Sequence, residues 1–133
     1  MNKSTEKFLQ KTLYHYRIWK ADVYDADTIT VDIDLGFDTV LKRQKIRLAR
    51  INAYEVTLRG GTTKEEKLLG IEAKHWLDNL LLHAFLNGDP VTIKTSKEKL
   101  RGKFGRILGE LYVNNKNVND MLVKMGYAKY QEY

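Results

Sequence analysis

The chain has 133 residues, of which 43% are hydrophobic, and this is the size and composition of one domain that can bury its own core. It contains no cysteine, which excludes disulfide bonds and thiolate metal sites. Lysine and arginine outnumber aspartate and glutamate 23 to 17, so the net charge of +6 favours a polyanionic partner without establishing one.

The first residues are polar and lack the apolar run that a secretory signal needs. We expect a flexible arm at 1–11 and one domain at 12–133. No later stretch reaches the ~18 apolar residues of a membrane span. These features predict a soluble, monomeric chain without membrane contact, cytoplasmic unless an export signal has been removed.

Three β-strands are predicted in the first part of the domain. The clearest is "TITVDIDL" at 28–35, where apolar residues at 29, 31, 33 and 35 alternate with polar ones at the period of a half-buried strand. Runs at 13–24 and 39–51 flank it as two further strands, with turn signals at the two joints. Because Asp32 and Asp34 lie on the polar face, we expect both to be solvated.

The period changes to that of a helix at about 64–87. Thr63 and Glu66 have the form of a capping box, and Gly88 ends the run. Residues 91–95 and 105–113 alternate again as strands, and 118–126 indicates a short amphipathic helix. The order predicts a mainly β fold with helices: a five-stranded OB-fold barrel, with the long helix between strands 3 and 4 and a short C-terminal helix.

Basic residues are concentrated in two segments. "LKRQKIRLAR" at 41–50 has five cations and no acid, and "KEKLRGKFGR" at 97–106 has five cations, one acid and a phenylalanine. Cations beside an aromatic ring suit a groove that follows a nucleic-acid backbone and stacks a base. A solvated strand edge and a solvated hairpin loop would have the same composition, and composition alone does not decide between the two interpretations.

Two carboxylates stand close together in "YDADT" at 24–28. Asp25 and Asp27 could present hard oxygen ligands to Ca²⁺ or Mg²⁺ at the entrance of a strand. Aspartates at such joints more often bond their own backbone in a turn. Taken alone, the motif favours the turn.

The set of motifs changes that balance. In order and spacing, "VYDADTITV", "IRLARINAYE", "EAKHWLDNLL", "RGKFGRILGELYV" and "VNDMLVKMGYAKY" closely resemble the staphylococcal nuclease (thermonuclease) family, over roughly residues 12–130. The resemblance implies an OB-fold with calcium-dependent phosphodiesterase activity on DNA and RNA. It identifies the chain as a phage-type or divergent member, because several motif positions depart from the family pattern.

The resemblance implies a calcium site with one ligand weakened. Asp27 matches a direct ligand, and Asp25 matches a nearby carboxylate that supports the site without binding the ion. Asn52 stands where the family has an aspartate ligand, and Ala53 retains the backbone carbonyl that binds calcium in the family. Because calcium affinity follows ligand charge, we expect weak binding. Ala26 replaces a glycine, which is harmless only if this position needs no positive φ.

The catalytic residues implied by the resemblance are Arg47, Glu55 and Arg106. A carboxylate such as Glu55 can orient or deprotonate the attacking water. The arginines can neutralise phosphoryl oxygens with planar forks that lysine does not reproduce. Lys103 and Phe104 fall where the family has residues that contact the terminal phosphate and the nucleotide.

Two functions remain open from the sequence. The first is a nuclease acting on DNA or RNA with a weakened metal site, favoured because the aspartate at 27 and all three catalytic positions are retained. The alternative is a catalytically impaired OB module that binds nucleic acid or protein. In either case we expect the glycine-bearing loop "TLRGGTTKE" at 57–65 to be exposed, and mobile or ordered only with substrate.

Overall fold

The computed structural model describes residues 2–4, 14–56, 63–96, 99–102 and 105–132. The elements it describes in full are eight strands and two helices. They are β1 His15–Asp25, β2 Thr28–Gly36, β3 Thr39–Leu48, β4 Ile51–Ala53, α1 Lys64–Asn87, β5 Val91–Lys94, β6 Ile107–Val113, β7 Lys116–Asn117, α2 Val118–Lys124 and β8 Ala128–Tyr130. Neither helix is long and apolar enough to cross a membrane.

Five strands close into a barrel. Antiparallel pairing joins β3 to β2, β2 to β1, β1 to β5 and β5 to β6, and a parallel pairing of β3 with β6 closes the ring. The order around the barrel is therefore β1-β2-β3-β6-β5. This confirms the predicted five-stranded barrel with helices, in which α1 lies between the third and fourth barrel strands.

The core fills the barrel and the space beneath α1. Its largest fully buried side chains are Ile18, Ile29, Ile46, Leu48, Ile51, Leu77, Ile93, Leu111 and Leu122. Full burial of one such side chain is worth about 1.5–3 kcal/mol. Helix α1 packs its buried face against β1 and β5, so the helix has a fixed position relative to the barrel.

The caps of α1 lie where the sequence predicts them. The Thr63 hydroxyl accepts a hydrogen bond from the Glu66 backbone N–H at 3.1 Å. Gly88 ends the helix in the left-handed conformation at φ +73°, and its N–H donates to the Ala84 and Phe85 carbonyls. At the start of α2, the side chain of Asn117 accepts a hydrogen bond from the backbone N–H of Asp120, as Thr63 does for α1.

The third predicted strand, 39–51, is interrupted in the structure. Strand β3 ends at Leu48, Arg50 takes a positive φ of 67°, and the chain then turns into β4. Strand β4 pairs with β8, which sequence analysis did not predict. A residue far along the chain stabilises this turn, because the Asn119 side-chain amide donates to the carbonyl of Ala49 at 2.9 Å.

Two expectations for β2 are wrong. Asp32 is buried, with 8% of its surface exposed, because it accepts from the Arg43 backbone N–H at 2.9 Å and pairs with Lys42 at 3.5 Å. The Arg43 N–H, together with Lys42, holds the pKa of Asp32 below its usual range. Leu35, predicted to be inward, is 38% exposed near the hairpin end.

Candidate active site

A cleft of about 680 Å³ opens where β2 begins and β3 ends. It is lined by Tyr24, Asp25, Asp27, Thr28, Thr30, Lys45, Arg47, Asn52, Ala53, Glu55, Arg106 and Gln131. Seven of these were predicted as site residues, and they come from four separate stretches of the chain. The fold therefore brings together every predicted site residue in the part of the chain that the structure describes.

Asp27 and Arg47 form a buried ion pair at the base of the cleft. Arg47 Nη2 lies 3.3 Å from Asp27 Oδ2, and each side chain is only 8% exposed. The same carboxylate oxygen accepts the Ala53 backbone N–H at 2.8 Å, and Oδ1 accepts the Thr28 hydroxyl at 3.0 Å. Asp27 thus connects the start of β2 to β4, and its orientation is fixed on both oxygens.

The guanidinium of Arg47 also braces the turn between β3 and β4. Its Nη1 donates to the Leu48 carbonyl at 2.7 Å and to the Ile51 carbonyl at 2.9 Å. Its Nη2 donates to Asn52 Oδ1 at 3.1 Å. A lysine has no planar fork and cannot reproduce this set of bonds. Arg47 is therefore both a structural clamp and a cation at the cleft.

The segment that carries Glu55 is held from two sides. Asp25 Oδ1 accepts the backbone N–H of Val56 at 3.1 Å, which ties the end of β1 to this segment. On the other side, a β-carbon at Gly70 of α1 would lie 2.2 Å from the Glu55 carbonyl oxygen and 2.8 Å from that of Tyr54. Only glycine allows the helix to approach the Glu55 backbone this closely.

The donors at the predicted metal position are oxygen atoms, as a hard cation requires. Asp27 Oδ2 and Asn52 Oδ1 lie 3.3 and 3.1 Å from the same nitrogen of Arg47, so they share one small region. Ala26 is buried and takes no positive φ, so alanine fits where the family has glycine. Within the described ranges, however, no three carboxylate or histidine side chains gather as a metal cluster.

Arg106 reaches the cleft from the start of β6. Gly105 before it has a φ of +77°, and the Arg106 carbonyl accepts the Gly102 N–H at 2.8 Å, which closes the loop locally. The predicted nucleic-acid contacts Lys103 and Phe104 lie outside the described residues, as do residues 57–62 of the predicted loop and most of the N-terminal arm.

Sequence reasoning missed five residues of the cleft, which are Tyr24, Thr28, Thr30, Lys45 and Gln131. Lys45 is two residues before Arg47 on β3, and Thr30 pairs with it on β2, so the period of two was sufficient to predict both. Gln131 follows β8, where its N–H donates to the Arg50 carbonyl at 2.8 Å. No local pattern predicts that contact.

Comparison with known proteins gives two findings. Residues 45–133 match the family described as staphylococcal nuclease homologue. The chain is also 32% identical over 109 residues to the endonuclease YhcR of Bacillus subtilis (strain 168). That alignment spans 80% of this chain and 8% of the relative, so the chain corresponds to a small part of that protein.

Proposed function

The chain belongs to the staphylococcal nuclease homologue family, and on this premise we propose that it is a calcium-dependent nuclease that hydrolyses phosphodiester bonds of DNA or RNA. A nuclease-type function is supported by the family and by similarity to an endonuclease. The observation that carries the proposal is the convergence of Asp27, Arg47, Glu55 and Arg106 on one cleft.

Glu55 is the proposed general base. It lines the same cleft as the arginines, at a backbone position fixed by Gly70 and by the Asp25 contact to the next residue. The attacking water gives its proton to Glu55 and its oxygen bonds to phosphorus, while one ester P–O bond breaks and the departing alkoxide oxygen takes a proton from solvent. General-base catalysis of this type contributes about 10²–10⁴-fold to a rate.

Arg47 and Arg106 are proposed to neutralise the charge that develops on the phosphoryl oxygens. Charged donors fixed before the reaction are effective because they do not have to reorganise as the charge grows. Arg47 is fixed by its bonds to the carbonyls of Leu48 and Ile51. We expect the loss of either arginine to cost several kcal/mol of transition-state stabilisation, or about 10²-fold or more in rate.

Asp27, Asn52 and the carbonyl of Ala53 are the proposed calcium ligands. When bound, calcium supplies Lewis-acid stabilisation of the phosphate and orients it for attack. The carboxylate of Asp27 is the only formal charge among these three ligands, and Asp25 adds a second negative charge within the same cleft. We propose that affinity for calcium is low, because affinity follows ligand charge.

The alternative is a binding module on the same fold without turnover. It is favoured by one observation, the lack of a three-carboxylate cluster within the described ranges. Cleavage of single-stranded DNA in a calcium titration separates the two, with Glu55→Gln as the matched variant. The nuclease predicts calcium-driven cleavage that Glu55→Gln abolishes while DNA binding is retained. Binding by both proteins, with cleavage by neither at any calcium concentration, would establish the binding module.

A further inference from the structure

Trp19 is an exposed aromatic ring that is nevertheless held in place. Its relative exposure is 47%. The indole Nε1–H donates to Asp34 Oδ2 at 2.9 Å, and the guanidinium carbon of Arg17 lies 4.3 Å from the ring centroid. The edge and one face of the ring are therefore fixed while much of it stays accessible. A ring fixed in advance loses little side-chain entropy when a flat partner stacks on it.

This ring lies on the same sheet face as the candidate active site. On β2, the residues at 28, 30, 32 and 34 point to one face because side chains alternate along a strand. Thr28 and Thr30 line the cleft, and Asp34 holds Trp19. The outer face of β1, β2 and β3 thus extends from the cleft to Trp19, with register shifts at Trp19 and opposite Asp32, and we call it the outer track.

The outer track carries more positive than negative side chains. Apart from the site residues Asp25 and Arg47, its basic residues are Arg17, Lys20, Lys42, Arg43 and Lys45, and its acidic residues are Asp22, Asp32 and Asp34. The three carboxylates already accept hydrogen bonds or pair with a cation. Lys45, at the cleft, has no ion pair within the part of the chain that the structure describes.

We propose that the outer track binds a single strand of the nucleic-acid substrate, with Trp19 stacking on an unpaired base several nucleotides from the bond that is cut. This rests on the proposed function, because it extends the same site. Cations beside an accessible aromatic ring are the chemistry by which single strands are held without sequence preference. A duplex does not offer a base face to Trp19, so the track selects single-stranded substrate.

The length of the track sets the substrate length that benefits. From Thr28 to Asp34 is six steps along β2, or about 20 Å at ~3.3 Å per residue. That distance corresponds to about six nucleotides at the ~3.4 Å per-strand spacing of B-form DNA, and to fewer nucleotides of an extended single strand. An oligonucleotide of about three nucleotides can fill the cleft without reaching Trp19, whereas one of about twelve can do both.

The test measures binding separately from cleavage. Labelled single strands of about three and about twelve nucleotides are titrated with the Glu55→Gln protein, with and without Trp19→Ala, by fluorescence anisotropy. We expect Trp19→Ala to raise the Kd for the longer strand about tenfold and to leave the shorter strand unchanged. Leu82→Ala is the matched control, because Leu82 is an exposed side chain of α1 outside the cleft and the track.

A second measurement does not depend on how well the Trp19 variant folds. The chain has two tryptophans, so Trp76→Phe leaves Trp19 as the single reporter. The longer strand should quench its fluorescence, and the shorter strand should not. Equal affinities of the Trp19 and Trp19→Ala proteins for the longer strand, with no quenching, would overturn the proposal. A Trp19→Ala effect of the same size on the shorter strand would also overturn it. If wild-type protein fails to cleave but these binding results hold, the nuclease proposal fails and the track stands.

Discussion

Gly70 of α1 lies directly against the backbone of Glu55, so closely that a β-carbon at position 70 would be 2.2 Å from the Glu55 carbonyl oxygen. A β-carbon does not approach an oxygen atom this closely in real structures, so any other residue at position 70 would force α1 away from the segment that carries Glu55. The contact fixes where the proposed general base enters the cleft. A glycine of the helix, which does not line the cleft, therefore determines the position of a cleft residue.

Gly70→Ala should therefore destabilise the protein despite the better helix propensity of alanine. Propensity alone predicts a gain of about 1 kcal/mol, whereas overpacking costs typically ~1–3 kcal/mol and here meets backbone rather than a flexible side chain. We expect a lower free energy of unfolding in urea and a further loss of kcat. Asn79→Ala, on the exposed side of the same helix, is the control. A Gly70→Ala protein as stable as this control would refute the close approach.

Arg47→Lys should affect stability and activity together. Lysine cannot donate at once to the carbonyls of Leu48 and Ile51 and remain beside Asp27. We expect the free energy of unfolding to fall by about 1–3 kcal/mol and the cleavage rate to fall about 10²-fold or more. Arg43→Lys is the stability control, because its ion pair with Asp22 is exposed. Equal stabilities for the two variants would show that Arg47 is not a clamp.

Asp32 predicts a stability difference that depends on pH. The Arg43 N–H holds its pKa below the ordinary 3.8 in the folded protein. Because the pKa is lowered, the ionised carboxylate stabilises the fold at pH values above the ordinary pKa. This stabilisation is lost as the pH falls through the pKa of the folded protein. Asp32→Asn should therefore be less stable than wild type at neutral pH, and the gap should shrink below about pH 3.8. A constant gap in acid urea unfolding would contradict this.

Much of the fold could be predicted from the sequence because helix caps and strand alternation depend on residues close to one another in the chain. The limits of α1 follow from the Thr63 cap and the left-handed Gly88, and both act within a few residues of the helix end. The barrel strands follow from alternation of apolar and polar residues. The motifs predict that Asp27, Arg47, Glu55 and Arg106 belong to one site, and the cleft contains all four.

Contacts between distant residues account for what was missed. The break after Leu48 is held by Asn119, and β4 exists because β8 pairs with it, so no window of sequence contains either cause. The burial of Asp32 depends on an irregular register opposite Arg43. These interactions join residues from 11 to about 80 positions apart, beyond the reach of periodicity.

The contact between Asn52 and Arg47 shows how calcium dependence can be tested through a single substitution. Asn52 Oδ1 already accepts from Arg47 Nη2, beside the Asp27 carboxylate, so a charge added at position 52 enters the proposed calcium site. Cleavage of single-stranded DNA is measured against calcium concentration for wild type and Asn52→Asp. A nuclease with one weakened ligand predicts that Asn52→Asp lowers the calcium needed for half-maximal cleavage by about tenfold. An unchanged calcium requirement, or cleavage that does not respond to calcium in either protein, would contradict the account.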